Sequence, residues 1–255
     1  MVVGSYVSRL LPLLFYLILD QSKNIKYDKL IIFISLTTTL SIVVLSGERI
    51  ALFYFILFFV IFIIFTNLKN KITLFSSFII ISFLIIISSD TLKKRLVNQT
   101  FSQIFLENNQ KKITFFSIQH ESHAISALKI FNDNALIGVG PKNFRNECKK
   151  KKYNTSKFSC STHPHNFYIQ LLTETGILGF LLPFGLLLYL LKFYIINLYY
   201  KIINKEKNIN LKNLYLYTCF LITLFPVLPT GNIFNNWLSI IFYIPFGFFL
   251  SKNKK

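Results

Sequence analysis

Apolar runs of about 17–20 residues recur along this chain, at roughly 3–19, 30–46, 50–66, 72–88, 177–196, 213–229 and 234–250. A helix of about 20 residues spans about 30 Å, the thickness of a bilayer's hydrocarbon core. Backbone N–H and C=O groups in hydrocarbon find no water, so each crossing segment must satisfy them internally as a helix. The chain is therefore read as all-α, a polytopic transmembrane helix bundle of about seven spans forming a single membrane domain over 1–255. Ser5, Ser8, Arg9 and Pro12 interrupt the first run. It has no clear small-residue cleavage site, which predicts a real or partial span in preference to a signal peptide. The tight joint Ser46-Gly47-Glu48-Arg49 makes the second and third runs a hairpin.

A net charge of +18 could suit nucleic acid, but the charges lie mostly in the short loops between runs and in one long loop. Lys23, Lys26 and Lys29 share one joint, Lys69 and Lys71 another, Lys201, Lys205, Lys207 and Lys212 a third, and Lys252, Lys254 and Lys255 end the chain. The alternate joints hold only Glu48 and Arg49, or no charge at all over 230–236. Cationic loops stay cytoplasmic, so one alternation fits every short joint. The stretch of about 89–176, between the fourth and fifth runs, then lies outside as one large periplasmic loop; its own basicity is no objection, because loops beyond about 60 residues escape the charge rule. The chain is thus expected to be a multi-pass membrane protein, with membrane lipids as surroundings and no nucleic-acid partner; in a bacterial inner membrane, that outside is the periplasm.

All four histidines, His120, His123, His163 and His165, fall in that loop. Within it the pattern predicts a helix over about 117–132, a break at Asn134–Pro141, and a helix over 166–175 that stops at Gly176 with a left-handed cap. Cys148 and Cys160 share the loop and form a candidate disulfide, which an oxidising compartment permits and which would contribute up to about 3 kcal/mol. Cys219, inside an apolar run, reads as a packing residue.

His165 stands with Asn166 at the start of the 166–175 helix. The positive end of a helix disfavours imidazolium, so His165 should stay neutral and able to take a proton from a hydroxyl. The other reading is a capping histidine at the water interface. Pro164 biases His163 toward extended backbone, so the two imidazoles are expected to diverge. Arg49 can grip a phosphate in a forked geometry, or it can snorkel to water or pair with Glu48. Gly138-Val139-Gly140 lacks the third glycine and the strand of a nucleotide fingerprint and reads as a tight turn at the membrane surface. His120-Glu121-Ser122-His123 has its histidines three apart, not the four of a zinc-protease motif. A metal held by the four histidines stays open as the minor reading, with no metal and no cofactor as the primary one.

Taken together, these residues resemble the O-antigen ligase and O-antigen polymerase family of bacterial membrane glycosyltransferases, over roughly Leu45 to Leu191. The most specific element is His165-Asn166, then nine residues, then Gly176-Ile177-Leu178-Gly179. Ser46-Gly47-Glu48-Arg49-Ile50-Ala51, Ile137 through Arg145, and one large loop before the last spans add weaker support. The resemblance implies a glycan donor carried on undecaprenyl diphosphate and an acceptor sugar hydroxyl on lipid A-core or on a growing glycan. Transfer would occur at the periplasmic face without a metal, in lipopolysaccharide or polysaccharide biosynthesis. It implies His165 as the catalytic residue and Arg49 as a diphosphate ligand, with His163, Asn166 and Gly176 in support. The family's arginine ahead of the Gly-x-Gly turn has no counterpart between Arg95 and Arg145; His120, His123 or Lys129 occupy that stretch, and Arg145 is the candidate substitute. Two other readings remain open. One is a transporter or flippase for lipid-linked sugars, against which the spans lack central acidic residues. The other is an inactive, truncated family member, since members are usually longer.

Overall fold

The computed structural model describes residues 3–21, 25–67, 71–101, 117–205 and 208–252. Among them the only β pairing is an isolated antiparallel bridge between Asn166 and Pro229. In chain order the helices are α1 (Val3–Gln21), α2 (Ile25–Ser46), α3 (Arg49–Phe65), α4 (Lys71–Ile87) and α5 (Asp90–Leu92). A π-helical stretch (Lys93–Asn98) and α6 (Gln99–Phe101) follow, then α7 (Ile118–Asp133), α8 (Phe144–Glu147), α9 (Phe167–Ile202), α10 (Leu211–Thr223) and α11 (Asn236–Lys252).

Val3–Gln21, Lys29–Ser46 and Phe167–Ile202 are long and apolar enough to cross a membrane. Thr73–Ile87 and Asp90–Asn98 make a fourth candidate if their 103° bend is one broken span, and Arg49–Phe65 and Asn236–Ser251 are apolar but shorter. The chain is an all-helical membrane protein. The apolar run at 213–229 does not form one helix: α10 ends at Thr223, and Pro226 and Pro229 lie in the irregular segment beyond it. Proline lacks the N–H a helix needs and restricts the residue before it, so hydropathy alone overran the helix end. The loop stretch 102–116 and the side-defining Lys23, Lys69, Lys207, Lys254 and Lys255 lie outside the described residues.

Two compact units divide the chain. The first takes in 1–100, 190–223 and 241–255, with α1 packed on α2, α3 and α10. Phe15, fully buried, meets Phe58, Phe62 and Tyr215 edge-on at 4.9, 5.4 and 5.6 Å between ring centroids. Such edge-to-face geometry suits the ring quadrupoles. Arg9 is buried in α1, donates from Nη2 to the Tyr54 hydroxyl at 2.9 Å and lies over that ring at 4.7 Å. The joint between α2 and α3 turns at Gly47, whose φ of 65° suits glycine. The Glu48 carboxylate there accepts from the Ser5 backbone N–H at 3.1 Å, in the first turn of α1, where the helix dipole favours negative charge.

The second unit takes in 101–189 and 224–240. Ser117 caps α7 by accepting from the His120 N–H. Ala127 and Ile130 of α7 pack with Phe144, Cys148 and Tyr153, and Val139, Cys160 and Ile169 close over them. Cys148 and Cys160 are joined as a disulfide with Cα atoms 5.3 Å apart, and Lys152 pairs with Asp133 at 2.7 Å.

α9 breaks at Gly176, where φ is 65° and ψ is −166°. This is not the left-handed cap predicted from sequence but a region of backbone space that is essentially glycine's alone, and a new helical limb starts directly after it. The break strips Ile177 and Leu178 of their bonds to the carbonyls of Thr173 and Glu174. The turn after α7 replaces all four. Ile177 N–H donates to Ala135 O at 2.8 Å and Leu178 N–H to Leu136 O at 3.3 Å, while Val139 N–H donates to Thr173 O at 3.0 Å and Gly140 N–H to Glu174 O at 2.9 Å. Two glycines let the backbones approach. A Cβ on Gly138 would lie 2.5 Å from the Glu174 carbonyl carbon, and one on Gly176 would collide with the Leu136 carbonyl oxygen.

Candidate functional site

The segment His163-Pro164-His165-Asn166 is held by a partner the sequence did not suggest, the irregular chain after α10. Thr230 N–H donates to the His165 carbonyl at 2.8 Å, Asn166 bridges Pro229, and the His163 Nε2 lies 3.1 Å from the Thr230 carbonyl oxygen. Asn166 then starts α9 as an N-cap: its Oδ1 accepts from the N–H groups of Tyr168 and Ile169, both at 3.1 Å. This satisfies two donors that the first turn leaves open.

His165 adopts φ 59°, left-handed backbone that histidine visits more readily than most residues but still at a cost of about 1–2 kcal/mol. This conformation overturns the expected divergence of the pair. The His163 and His165 rings lie 4.0 Å apart, centroid to centroid. His120 and His123, one turn apart on α7, bring their rings to 5.2 and 5.4 Å from His165. All four histidines thus form one cluster. Among the described residues no group of three or more His, Cys, Asp or Glu side chains is arranged to hold a metal ion.

A cavity of about 210 Å³ opens beside His165, lined also by His120, Glu121, Asn166, Val227 and Pro229. Val227 has φ 78°, an outlier for a β-branched side chain, so both sides of the cavity carry backbone strain, as functional sites often do. Burial first, then the neighbouring His163, His120 and His123, push His165 down to about 3. Burial is also the main cause that lowers His163, with the Thr230 carbonyl opposing it. His123 is lowered by burial against the carbonyls of Ser159 and Phe158, and its Nδ1 is buried without a partner. Every resolved shift in the cluster favours neutral imidazole.

His163 has both ring nitrogens occupied. A carbonyl only accepts, so Nε2 carries the proton toward Thr230, and Nδ1 meets the Thr162 hydroxyl at 2.9 Å. His165 faces the cavity instead, so the two histidines of the motif have different surroundings.

Arg145 lies on α8, exposed, with its Nε donating to the Lys142 carbonyl at 3.1 Å. It does not line the cavity, yet its charge is among those that lower His163. Behind α8 stands Glu174, fully buried. Its Oε1 accepts from the Phe144 N–H at 3.1 Å and its Oε2 from the Gln170 Nε2 at 2.9 Å. Gln170 in turn donates to Asn232 Oδ1 at 2.8 Å. Glu174 therefore fixes the start of the helix that carries Arg145. Two polar residues four apart at the head of an apolar helix were the signal for this pair. Arg49 belongs to the first unit, where it opens α3 as an exposed residue. In the same unit Arg95 packs on the α2–α3 joint, its Cδ 3.3 Å from where a Cβ on Gly47 would stand. Its π-helical setting, a form often found at functional sites, left no mark in the sequence.

A family model described as O-antigen ligase matches residues 33–184, more than half of the chain and including every residue of the HPHN segment. No curated protein and no solved structure matches the chain.

Proposed function

The chain belongs to the O-antigen ligase family, and from that premise we propose that it moves a glycan from undecaprenyl diphosphate to an acceptor sugar hydroxyl, without a metal. The observation that carries this reading is His165: neutral, cavity-facing, and in strained backbone beside a helix N-terminus. In the proposed reaction the acceptor hydroxyl oxygen attacks the anomeric carbon as His165 takes its proton. The bond from that carbon to the diphosphate oxygen breaks, undecaprenyl diphosphate leaves, and the centre inverts. A base of this kind contributes about 10²–10⁴ in rate.

A histidine at about 3 is a weak base in the empty site. Donor binding brings in the diphosphate's negative charge, which favours imidazolium, so the substrate itself raises His165 toward its working range. Arg49 and Arg145 are the proposed ligands for the leaving diphosphate, through charge-assisted bonds directed at its oxygens. The acceptor is lipid A-core or a growing glycan.

The proposed topology has about seven spans across a bacterial inner membrane, with 89–176 in the periplasm. The disulfide between Cys148 and Cys160 supports that side, since thiols stay reduced in the cytoplasm. A transporter of lipid-linked sugars is the second reading, and buried Arg9 is the observation that favours it, because intramembrane charges mark transport paths. Purified protein in liposomes, given lipid-linked donor and acceptor on one side only, separates the two. Glycan joined to acceptor supports transfer; donor crossing the bilayer without joining supports transport.

A further inference from the structure

We propose that the turn Leu136-Ile137 is a lipid-embedded wedge that fixes the histidine cluster at the membrane surface, and that its partner is the interfacial layer of the bilayer itself. The turn exposes its two largest apolar side chains, Leu136 at 70% and Ile137 at 72%, although water should disfavour both. Its backbone is committed elsewhere, to the second limb of α9: the carbonyls of Ala135 and Leu136 accept from Ile177 and Leu178. These are the first N–H groups of the limb that continues into the apolar helix. In hydrocarbon such donors have no water to turn to and must be met by protein. The turn therefore sits at the depth at which the span enters the membrane.

Continuity identifies the occupant. Leu178, Leu181 and Leu182 on that limb are exposed, and in a spanning helix exposed leucines face lipid. Leu136 and Ile137 extend this apolar surface sideways at its upper edge, through backbone that Gly138 and Gly176 hold in direct contact with α9. On the other side of the same turn, Val139 packs against the α7–α8 core, and α7 carries His120 and His123. The wedge thus couples membrane depth to the cluster within one unit. A lipid-linked donor presents its diphosphate at that level, a few ångströms above the acyl chains.

The proposal rests on reading α9 as a membrane span. The test therefore carries a reference inside that span. In a Trp237→Phe background, which removes the chain's single tryptophan, the variants Leu136→Trp, Ile137→Trp and Leu182→Trp are placed in bilayers containing lipids brominated near the glycerol end of their acyl chains. The expected result is blue-shifted emission that the bromolipid quenches for all three. Quenching of Leu182→Trp alone overturns the wedge and leaves the span intact. No quenching at any of the three removes the span and the wedge together. A second measurement guards against a variant that misfolds: a nitroxide on Ile137→Cys should be relaxed more by oxygen than by a water-soluble nickel chelate. The opposite order overturns the proposal.

Discussion

His163 and His165 stand 4.0 Å apart, and Thr230 ties both, accepting at its carbonyl from the His163 ring and donating from its N–H to the His165 carbonyl. His163 is closed off, donating to the Thr230 carbonyl and meeting the Thr162 hydroxyl, so it ties the motif to the chain after α10. His165 borders the cavity, and its backbone carbonyl, not its ring, carries the tie to Thr230. Within one tripeptide, one imidazole is tied to Thr230 and the other borders the cavity.

Replacement of each tests this division. His165→Asn is the informative change, because asparagine tolerates left-handed backbone but cannot act as a base. Transfer should fall about 10²–10⁴-fold with membrane insertion and protein level unchanged. His163→Gln keeps a donor for Thr230 and should retain most activity, whereas His163→Ala leaves that buried carbonyl unmet at about 1–3 kcal/mol. A His165→Asn enzyme close to wild type, or a greater catalytic loss in stable His163→Gln, would reverse the assignment.

The pH dependence follows from the lowered histidines. A base must be neutral to act, and the free enzyme's His165 is neutral down to about 3. The profile of kcat/KM should therefore show no histidine limb between pH 7.5 and about 5, while kcat, which reports the bound complex, should begin to fall at higher pH because the diphosphate raises the same group. The folded state refuses protons that an unfolded histidine accepts below about 6.5. Stability should accordingly decline as pH falls from about 6.5 toward 3, and less steeply in His165→Asn. Coincident acid limbs in kcat and kcat/KM, or a thermal midpoint flat over this range, would contradict the assignment.

How much of this was visible in the residues varies with the range of the interaction. The α7 helix, its Ser117 start and the stop at Gly176 follow from local periodicity and backbone preference, and they lie within a residue or two of where the sequence predicts them. The seam of Gly138 against Gly176 was visible only as two separate glycine signals, since pairing them needs contacts some forty residues apart. Pro229 and Thr230 were hidden by hydropathy: Leu224, Phe225, Val227 and Leu228 read as the end of a span. The clustering of all four histidines was lost for a conformational reason, because a proline rule cannot foresee left-handed backbone at the following histidine.

The seam should be intolerant of side chains. Gly176→Ala must hold alanine in strained backbone, at about 1–3 kcal/mol, and drive its methyl into the Leu136 carbonyl oxygen. Gly140, with φ 95° but nothing near its would-be Cβ, bears only the strain. Gly176→Ala should thus lower the unfolding temperature more than Gly140→Ala and should expose the amides of Ile177 and Leu178 to hydrogen exchange. Equal effects at the two glycines would argue against the close approach.

The disulfide offers a topological test with its own energetics. Closing the loop from Cys148 to Cys160 contributes about 3 kcal/mol in the chain-entropy account. Because Cys148 is fully buried, labelling is read in denatured protein: material from an oxidising compartment should resist maleimide at both positions until reduced, and Cys160→Ser should lower stability and leave Cys148 open to labelling without reductant. Labelling of both thiols in denatured protein without reductant would place the loop on the other side of the membrane.

Arg49 is best judged by a conservative change. If it grips the diphosphate, Arg49→Lys should not rescue, since an ammonium cannot form the forked pair; the defect should appear in use of the lipid-linked donor, not in acceptor affinity. If it only snorkels, lysine serves as well as arginine. Arg95 sharpens the comparison, because its side chain packs on the joint that carries Arg49 and would supply a second guanidinium to the same ligand. Arg95→Lys should then weaken donor use in the same direction, and the double variant should lose less than the sum of the single losses, as residues that share a partner are not additive. Transfer assays with purified lipid-linked donor read both arms. A fully active Arg49→Lys protein removes Arg49 from the site and leaves Arg145, held in place through Glu174, as the phosphate ligand to pursue.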